Sequence, residues 1–106
     1  MKIQIKDKDI ELKYSFRAMM VFEEITGNSF SFKGVKDLII YFYCTIVASD
    51  KDLDLDFDYF MDWLDSNPEE LNNFTEWVVS HNKKNTYIRQ NQETDEGDGE
   101  IKKNNK

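Results

Sequence analysis

The chain has 106 residues, 40% of them apolar, and carries 21 acidic against 14 basic side chains for a net charge of −7, with one Cys, one His, one Pro and four Gly. A lone Cys excludes a disulfide framework and a Cys-based zinc site, and one His leaves little material for a His-rich metal centre or a triad. The sequence therefore assigns no catalytic residue, metal or cofactor. Negative charge repels phosphate backbones, and the longest apolar run, Leu38 to Cys44, is far short of the ~20 residues that span a bilayer. Nucleic acid and membrane are set aside as partners, and a cytoplasmic, reduced protein is expected.

The opening stretch alternates, with Ile3 and Ile5 and then Ile10, Leu12 and Tyr14 between polar residues, around an Asp7-Lys8-Asp9 break. Period two around a short polar turn predicts a β-hairpin. Ser15 is placed to cap a helix from Phe16 to Thr26, ended by Gly27-Asn28. Its apolar face is predicted to be Ala18, Met19, Val21, Phe22 and Ile25, leaving Phe16 and Met20 as a secondary contact surface. A loop with Phe30 and Phe32 leads to a second helix, Val35 to Ala48, apolar nearly all round and hence the central core helix. Asp37, Tyr41, Cys44 and Ala48 mark its weaker face.

Asp50 to Asp58 reads as an acidic linker, after which Asp56 caps a third helix, Phe57 to Asp65. Phe57, Phe60, Met61 and Leu64 are its buried positions, Tyr59 and Trp63 flank them, and Asp58 and Asp62 point away. Asn67-Pro68-Glu69-Glu70 opens a fourth helix to Lys83, with Leu71, Phe74 and Val78 inward, Trp77 on the shoulder and Lys83-Lys84 at the negative end of the dipole. After Lys84 only Tyr87, Ile88 and Ile101 are substantial apolar groups, so residues 85–106 are expected to form a disordered polar tail and residues 1–84 a single acidic domain. The fold class predicted is α+β, mainly α: an N-terminal hairpin, then about four helices around a central apolar one.

The carboxylate series Asp50, Asp52, Asp54, Asp56 and Asp58 has the spacing of an EF-hand loop, but the required glycine and closing glutamate are absent, and a solvated acidic loop is the better reading. Adjacent acids such as Glu23 and Glu24 do not face one another on a helix. His81 and Cys44 read as structural, one near a helix C-terminus and the other inside the core helix. What remains is surface. Between Asp50 and Glu76 lie 10 acids and one lysine, bordered by Tyr59, Trp63, Trp77 and the Phe30/Phe32 loop. Aromatic anchors with a charged rim make a protein-binding patch, although each of these aromatics is equally readable as core. The candidate partner-binding residues are Phe16, Met20, Phe30, Phe32, Tyr59, Trp63, Trp77, Asp58 and Asp62.

Two phrases carry a resemblance. Tyr14-Ser15-Phe16-Arg17-Ala18-Met19-Met20-Val21-Phe22-Glu23-Glu24-Ile25-Thr26-Gly27 and Phe57-Asp58-Tyr59-Phe60-Met61-Asp62-Trp63-Leu64-Asp65-Ser66-Asn67-Pro68 resemble phrases of the small tail assembly chaperones of long-tailed phages and prophages. The similarity covers residues 10–84. It implies a non-catalytic cytoplasmic factor, absent from the mature virion, that binds the tape measure protein and helps recruit tail tube subunits. An acidic domain with peripheral Phe, Tyr, Trp and Met is suited to covering the apolar stripes of a helical rod while keeping the complex dissolved. The resemblance also implies a frameshifted longer form, for which Lys83-Lys84-Asn85 and Lys103-Asn104 are encodable by A-rich slippery heptamers. The denser acid and the short polar end depart from the pattern. Two alternatives stay open: an acidic DNA mimic that occupies a basic nucleic-acid-binding protein, and a small structural tail or connector subunit. A homo-oligomer is left open as well.

Overall fold

The computed structural model describes residues 1–84; the expectations for residues 85–106 and for the side chains of Lys83 and Lys84 lie outside the described residues. In chain order the elements are β1 (Lys2–Ile5), β2 (Lys8–Glu11), α1 (Phe16–Thr26), α2 (Val35–Ser49), α3 (Phe57–Ser66) and α4 (Glu69–Lys84). This is the mainly helical α+β arrangement with an N-terminal hairpin that the pattern predicts.

β1 and β2 pair antiparallel, with Ile3 opposite Ile10 and Ile5 opposite Lys8. They close on a two-residue turn in which Lys6 (φ 55) and Asp7 (φ 61) both adopt left-handed backbone. Positive φ at both central positions defines the primed turn whose twist matches that of the strands. The expected break at Asp7-Lys8-Asp9 is corrected to Lys6-Asp7, with Lys8 and Asp9 inside β2. The shorter loop is what keeps Ile3, Ile5, Ile10 and Leu12 on one face, and all four are buried.

α1 starts where Ser15 Oγ accepts the Ala18 N–H at 3.2 Å and ends where Gly27, at φ 73, donates its N–H to the Glu23 carbonyl. Glycine takes this left-handed conformation without a Cβ penalty. Ala18 and Phe22 are buried, but Ile25, expected inward, is 53% exposed. The inward stripe runs from Ala18 through Phe22 to half-buried Thr26, whose hydroxyl donates to the Phe22 carbonyl at 2.8 Å. Ile25 sits on the flank of that four-residue spacing.

α2 is the central helix. Tyr41, Phe42, Cys44, Thr45 and Ile46 are all buried on it, so of the expected weaker face Tyr41 and Cys44 belong to the core, while Asp37 and Ala48 are half-buried. Hydropathy ranks a tyrosine low, yet the Tyr41 ring packs among Phe22, Phe30, Phe32 and Phe74 at centroid separations of 6.3, 4.9, 5.4 and 5.6 Å. Apolar area decides its position and the single hydroxyl follows. On the neighbouring side Phe42 stacks flat on Phe74 at 4.3 Å and meets Phe60 edge-on at 5.5 Å. Thus α2 ties α1, α3 and α4 to one aromatic core.

The Asp56 carboxylate caps α3 by accepting the Tyr59 N–H at 2.7 Å. Phe60 and Leu64 are buried, whereas Phe57, expected inward, is 39% exposed. At the first helical position it meets Tyr43 edge-on at 5.3 Å and the near side of Phe60 at 5.9 Å, leaving its outer side open. Asn67 closes α3 by donating its amide to the Trp63 carbonyl at 2.8 Å, and its own carbonyl accepts the Glu70 N–H at the start of α4. Phe74 and Val78 then face inward as predicted.

Candidate functional site

The sequence-predicted binding residues fall into separate places. Phe16 and Met20 lie one turn apart on the outer side of α1, and both are well exposed. Tyr59 is also exposed, with the Lys6 ammonium 5.3 Å from its ring centroid, and Asp58 and Asp62 are exposed on the same helix. Trp63 is half-buried. Its indole N–H donates to the Gln4 carbonyl at 2.8 Å, and its ring packs against Phe42 and Phe60 at 5.9 and 6.0 Å. It therefore fastens the hairpin to α3, whatever else it touches.

Trp77 is also half-buried, between Phe74 at 5.7 Å and His81 at 4.7 Å. His81 in turn stacks on Tyr14 at 4.7 Å, and the Tyr14 hydroxyl donates to Asn82 Oδ1 at 2.6 Å. This cluster holds the end of α4 against the segment between β2 and α1. Phe30 and Phe32 do come together, 5.2 Å apart, because Glu23 Oε2 accepts the Phe30 N–H at 2.8 Å and draws the loop onto α1. Phe30 is half-buried and Phe32 is 39% exposed.

Phe32 leads to the site that the sequence does not reveal. Between the start of α2 and the C-terminal half of α4 runs a groove of about 360 Å³, lined by Phe32, Gly34, Val35, Leu38, Thr75, Val78, Val79 and Asn82. Its lips are Val35 and Val79, 62% and 47% exposed. The lining carries no acid, base or nucleophile beyond the Thr75 hydroxyl, and that hydroxyl donates to the Leu71 carbonyl at 2.8 Å. Such a surface is suited to burying apolar side chains rather than to proton or group transfer. Only Phe32 of the predicted set belongs to it. Val35 and Val79 carry a faint signal, being apolar residues beside the inward stripes of their helices, but two helices so far apart in sequence cannot be read as one surface.

Charge is distributed unevenly around the fold. Next in sequence to the lining residues Phe32, Gly34, Val35 and Leu38 are the exposed Lys33 and Lys36 and the half-buried Asp37, and Asp37 Oδ2 accepts the Lys33 N–H at 2.9 Å, which orders that turn. The linker and α3 carry the acids. Among them Asp50 pairs with Lys8, whose ammonium holds its carboxyl below the ordinary range. In the core, burial pushes the Cys44 thiol up to about 12 and raises the Tyr41 phenol well above its ordinary value. The Tyr41 hydroxyl is buried and, among the described residues, lacks a hydrogen-bond partner. Also among the described residues, no three His, Cys, Asp or Glu side chains are grouped as a metal ion would require, and no helix is long and apolar enough to cross a membrane.

Comparison with family models, with curated proteins and with solved structures finds no match for this chain.

Proposed function

We propose that the protein is a non-catalytic chaperone of phage or prophage tail assembly, acting in the host cytoplasm and absent from the mature virion. It keeps a tape measure protein dissolved by seating an apolar helical stripe in the α2–α4 groove, and it helps recruit tail tube subunits. The observation that carries this reading is the groove itself, an apolar channel with exposed valine lips in a chain of net charge −7. A helix laid into such a channel buries its own apolar face, and the surplus charge of the domain opposes aggregation of the complex. The two phrases that resemble those of tail assembly chaperones give the reading its partner.

Co-expression with a neighbouring long helical protein tests it. The wild-type chain should move that protein from the pellet to the supernatant, and Val35→Asp with Val79→Asp should weaken the complex at least tenfold, because a bound helix would bury two unpaired carboxylates. No gain in solubility with the wild-type chain sinks the reading. The exposed Asp58 and Asp62 of α3 support the rival DNA-mimic reading. Salt separates the two: a mimic loses its basic partner steeply between 0.1 and 1 M NaCl, whereas apolar burial persists. Recovery of the chain from purified virions would instead assign it as a structural tail or connector subunit.

A further inference from the structure

Away from the groove, α1 turns an unpartnered face outward. Its exposed residues are Phe16, Arg17, Met20, Glu23, Glu24 and Ile25, and half of them are large apolar side chains, 66%, 62% and 53% exposed at Phe16, Met20 and Ile25. A face meant only for water is ordinarily polar. The charges are also placed against the helix dipole, which favours acids in the first turn and bases in the last. Arg17 stands in the first turn and the two glutamates near the end, with no acid at the start and no base at the finish. Glu23 is accounted for within the chain, because its carboxylate accepts the Phe30 N–H at 2.8 Å. Arg17 and Glu24 form no ion pair among the described residues, and nothing in the described fold explains their order.

A second copy of the same helix does explain it. At about 3.6 residues per turn, Arg17 and Glu24 fall on one line down α1, about 10 Å apart. Phe16 and Met20 border that line on one side, and half-buried Val21 and exposed Ile25 border it on the other. We propose that two copies of this chain pair through α1, antiparallel, about a two-fold axis level with the Met20–Val21 peptide. Each Arg17 then faces Glu24 of the other copy, Met20 meets Met20, Val21 meets Val21, and the two helix dipoles oppose one another. A parallel pair would set Arg17 against Arg17. The face brings one base and two acids per copy, and the nearest charges outside it in sequence are Lys13 and Lys33. Two domains of net charge −7 also repel, and an 11-residue helix offers only about half of the ~800 Å² per partner of a standard interface. The dimer is therefore weak, assembling at about 0.1 mM and above. No residue lining the α2–α4 groove belongs to this face, so the dimer and the chaperone reading stand or fall separately.

Sedimentation equilibrium of the full-length chain tests it, between about 10 μM and 1 mM protein at about 0.15 M NaCl, where surface repulsion is screened beyond ~8 Å. The average mass should rise with concentration from monomer toward dimer. Arg17→Glu sets acid against acid at both pairs, Glu24→Arg sets base against base, and each should weaken association about tenfold or more. Net charge alone predicts otherwise for the second, since Glu24→Arg removes two negative charges. Arg17→Glu combined with Glu24→Arg restores both pairs in exchanged order and should return the dissociation constant to within about threefold of wild type. Every one of these changes suits the helix dipole, so α1 stays folded and the far-ultraviolet circular dichroism should not move. Val35→Asp with Val79→Asp should leave the dimer intact. A wild-type chain still monomeric at 1 mM overturns the proposal, as does tighter association of Glu24→Arg, or a double variant no tighter than the single ones. Loss of the dimer in the valine variant also overturns it, since that gives the contact to the groove.

Discussion

At the C-terminal end of α2, polar bonds between distant segments close the structure. Ser49 Oγ accepts the Lys13 N–H at 2.9 Å, Asp50 pairs with Lys8, the Tyr43 hydroxyl donates to the Leu55 carbonyl at 2.7 Å, and Trp63 reaches across to Gln4. At the N-terminal end the cap is Gly34, which offers no side-chain hydrogen bond, and the first helical residue, Val35, faces outward next to Phe32 and Val79. One end spends its side chains on the chain itself, and the other keeps apolar groups uncommitted. Uncommitted apolar surface persists in a folded protein when something else is to cover it. The difference divides the molecule into a structural end and an end with exposed apolar surface, where we propose that the partner binds.

That division makes unequal demands on single residues. The largest expected effect lies at the structural end. Trp63→Ala should cost about 3 kcal/mol in urea unfolding, since it removes a packed ring and leaves the Gln4 carbonyl without its donor. A loss below ~1 kcal/mol would release Trp63 from its structural role and return it to the binding candidates. Tyr41→Phe, in the core adjoining Phe32, should stabilise the fold by about 1 kcal/mol, because it deletes a buried hydroxyl that lacks a partner among the described residues. Destabilisation on that change would mean that the hydroxyl is satisfied in solution.

At the groove end, Val35→Asp and Val79→Asp should each alter stability by no more than ~0.5 kcal/mol, as expected for exposed positions, while weakening the co-expressed complex. A larger loss of stability would move these valines into the core. The smallest effect belongs to Lys8→Gln. The lysine lowers the Asp50 carboxyl, so its contribution is present above the ordinary carboxylate range and is lost as pH falls through the lowered value. The stability gap between wild type and variant should therefore close in acid, and Asp50 should titrate higher in the variant by carbon-detected NMR.

Much of the fold was legible because its signals are local. Ser15, Gly27 and Asp56 are helix boundary residues whose bonds run to positions three or four away, and the hairpin is written in alternating isoleucines. Burial was harder to read. Tyr41 and Cys44 looked like the weaker face of α2, yet they are buried because α1, the Phe30/Phe32 loop and α4 converge on them, which no window of sequence contains. Ile25 and Phe57 fit their helical stripes and still sit outside, since a stripe gives direction but not how far the neighbouring element extends. The groove was illegible for the same reason, its two walls lying some forty residues apart. Of the predicted contact set, Phe16, Met20, Phe32, Asp58, Tyr59 and Asp62 are exposed, while Phe30, Trp63 and Trp77 also serve the interior.

Cys44 gives the molecule an unused instrument. Its thiol is fully buried and pushed up to about 12, so an alkylating reagent at neutral pH finds neither access nor thiolate until the central helix is exposed. With no second sulfhydryl in the sequence, the rate of iodoacetamide labelling becomes a stopwatch on that opening, readable by mass at nanomolar protein without an attached reporter. The same silence means that a cysteine introduced anywhere on the outside would be the sole position to react.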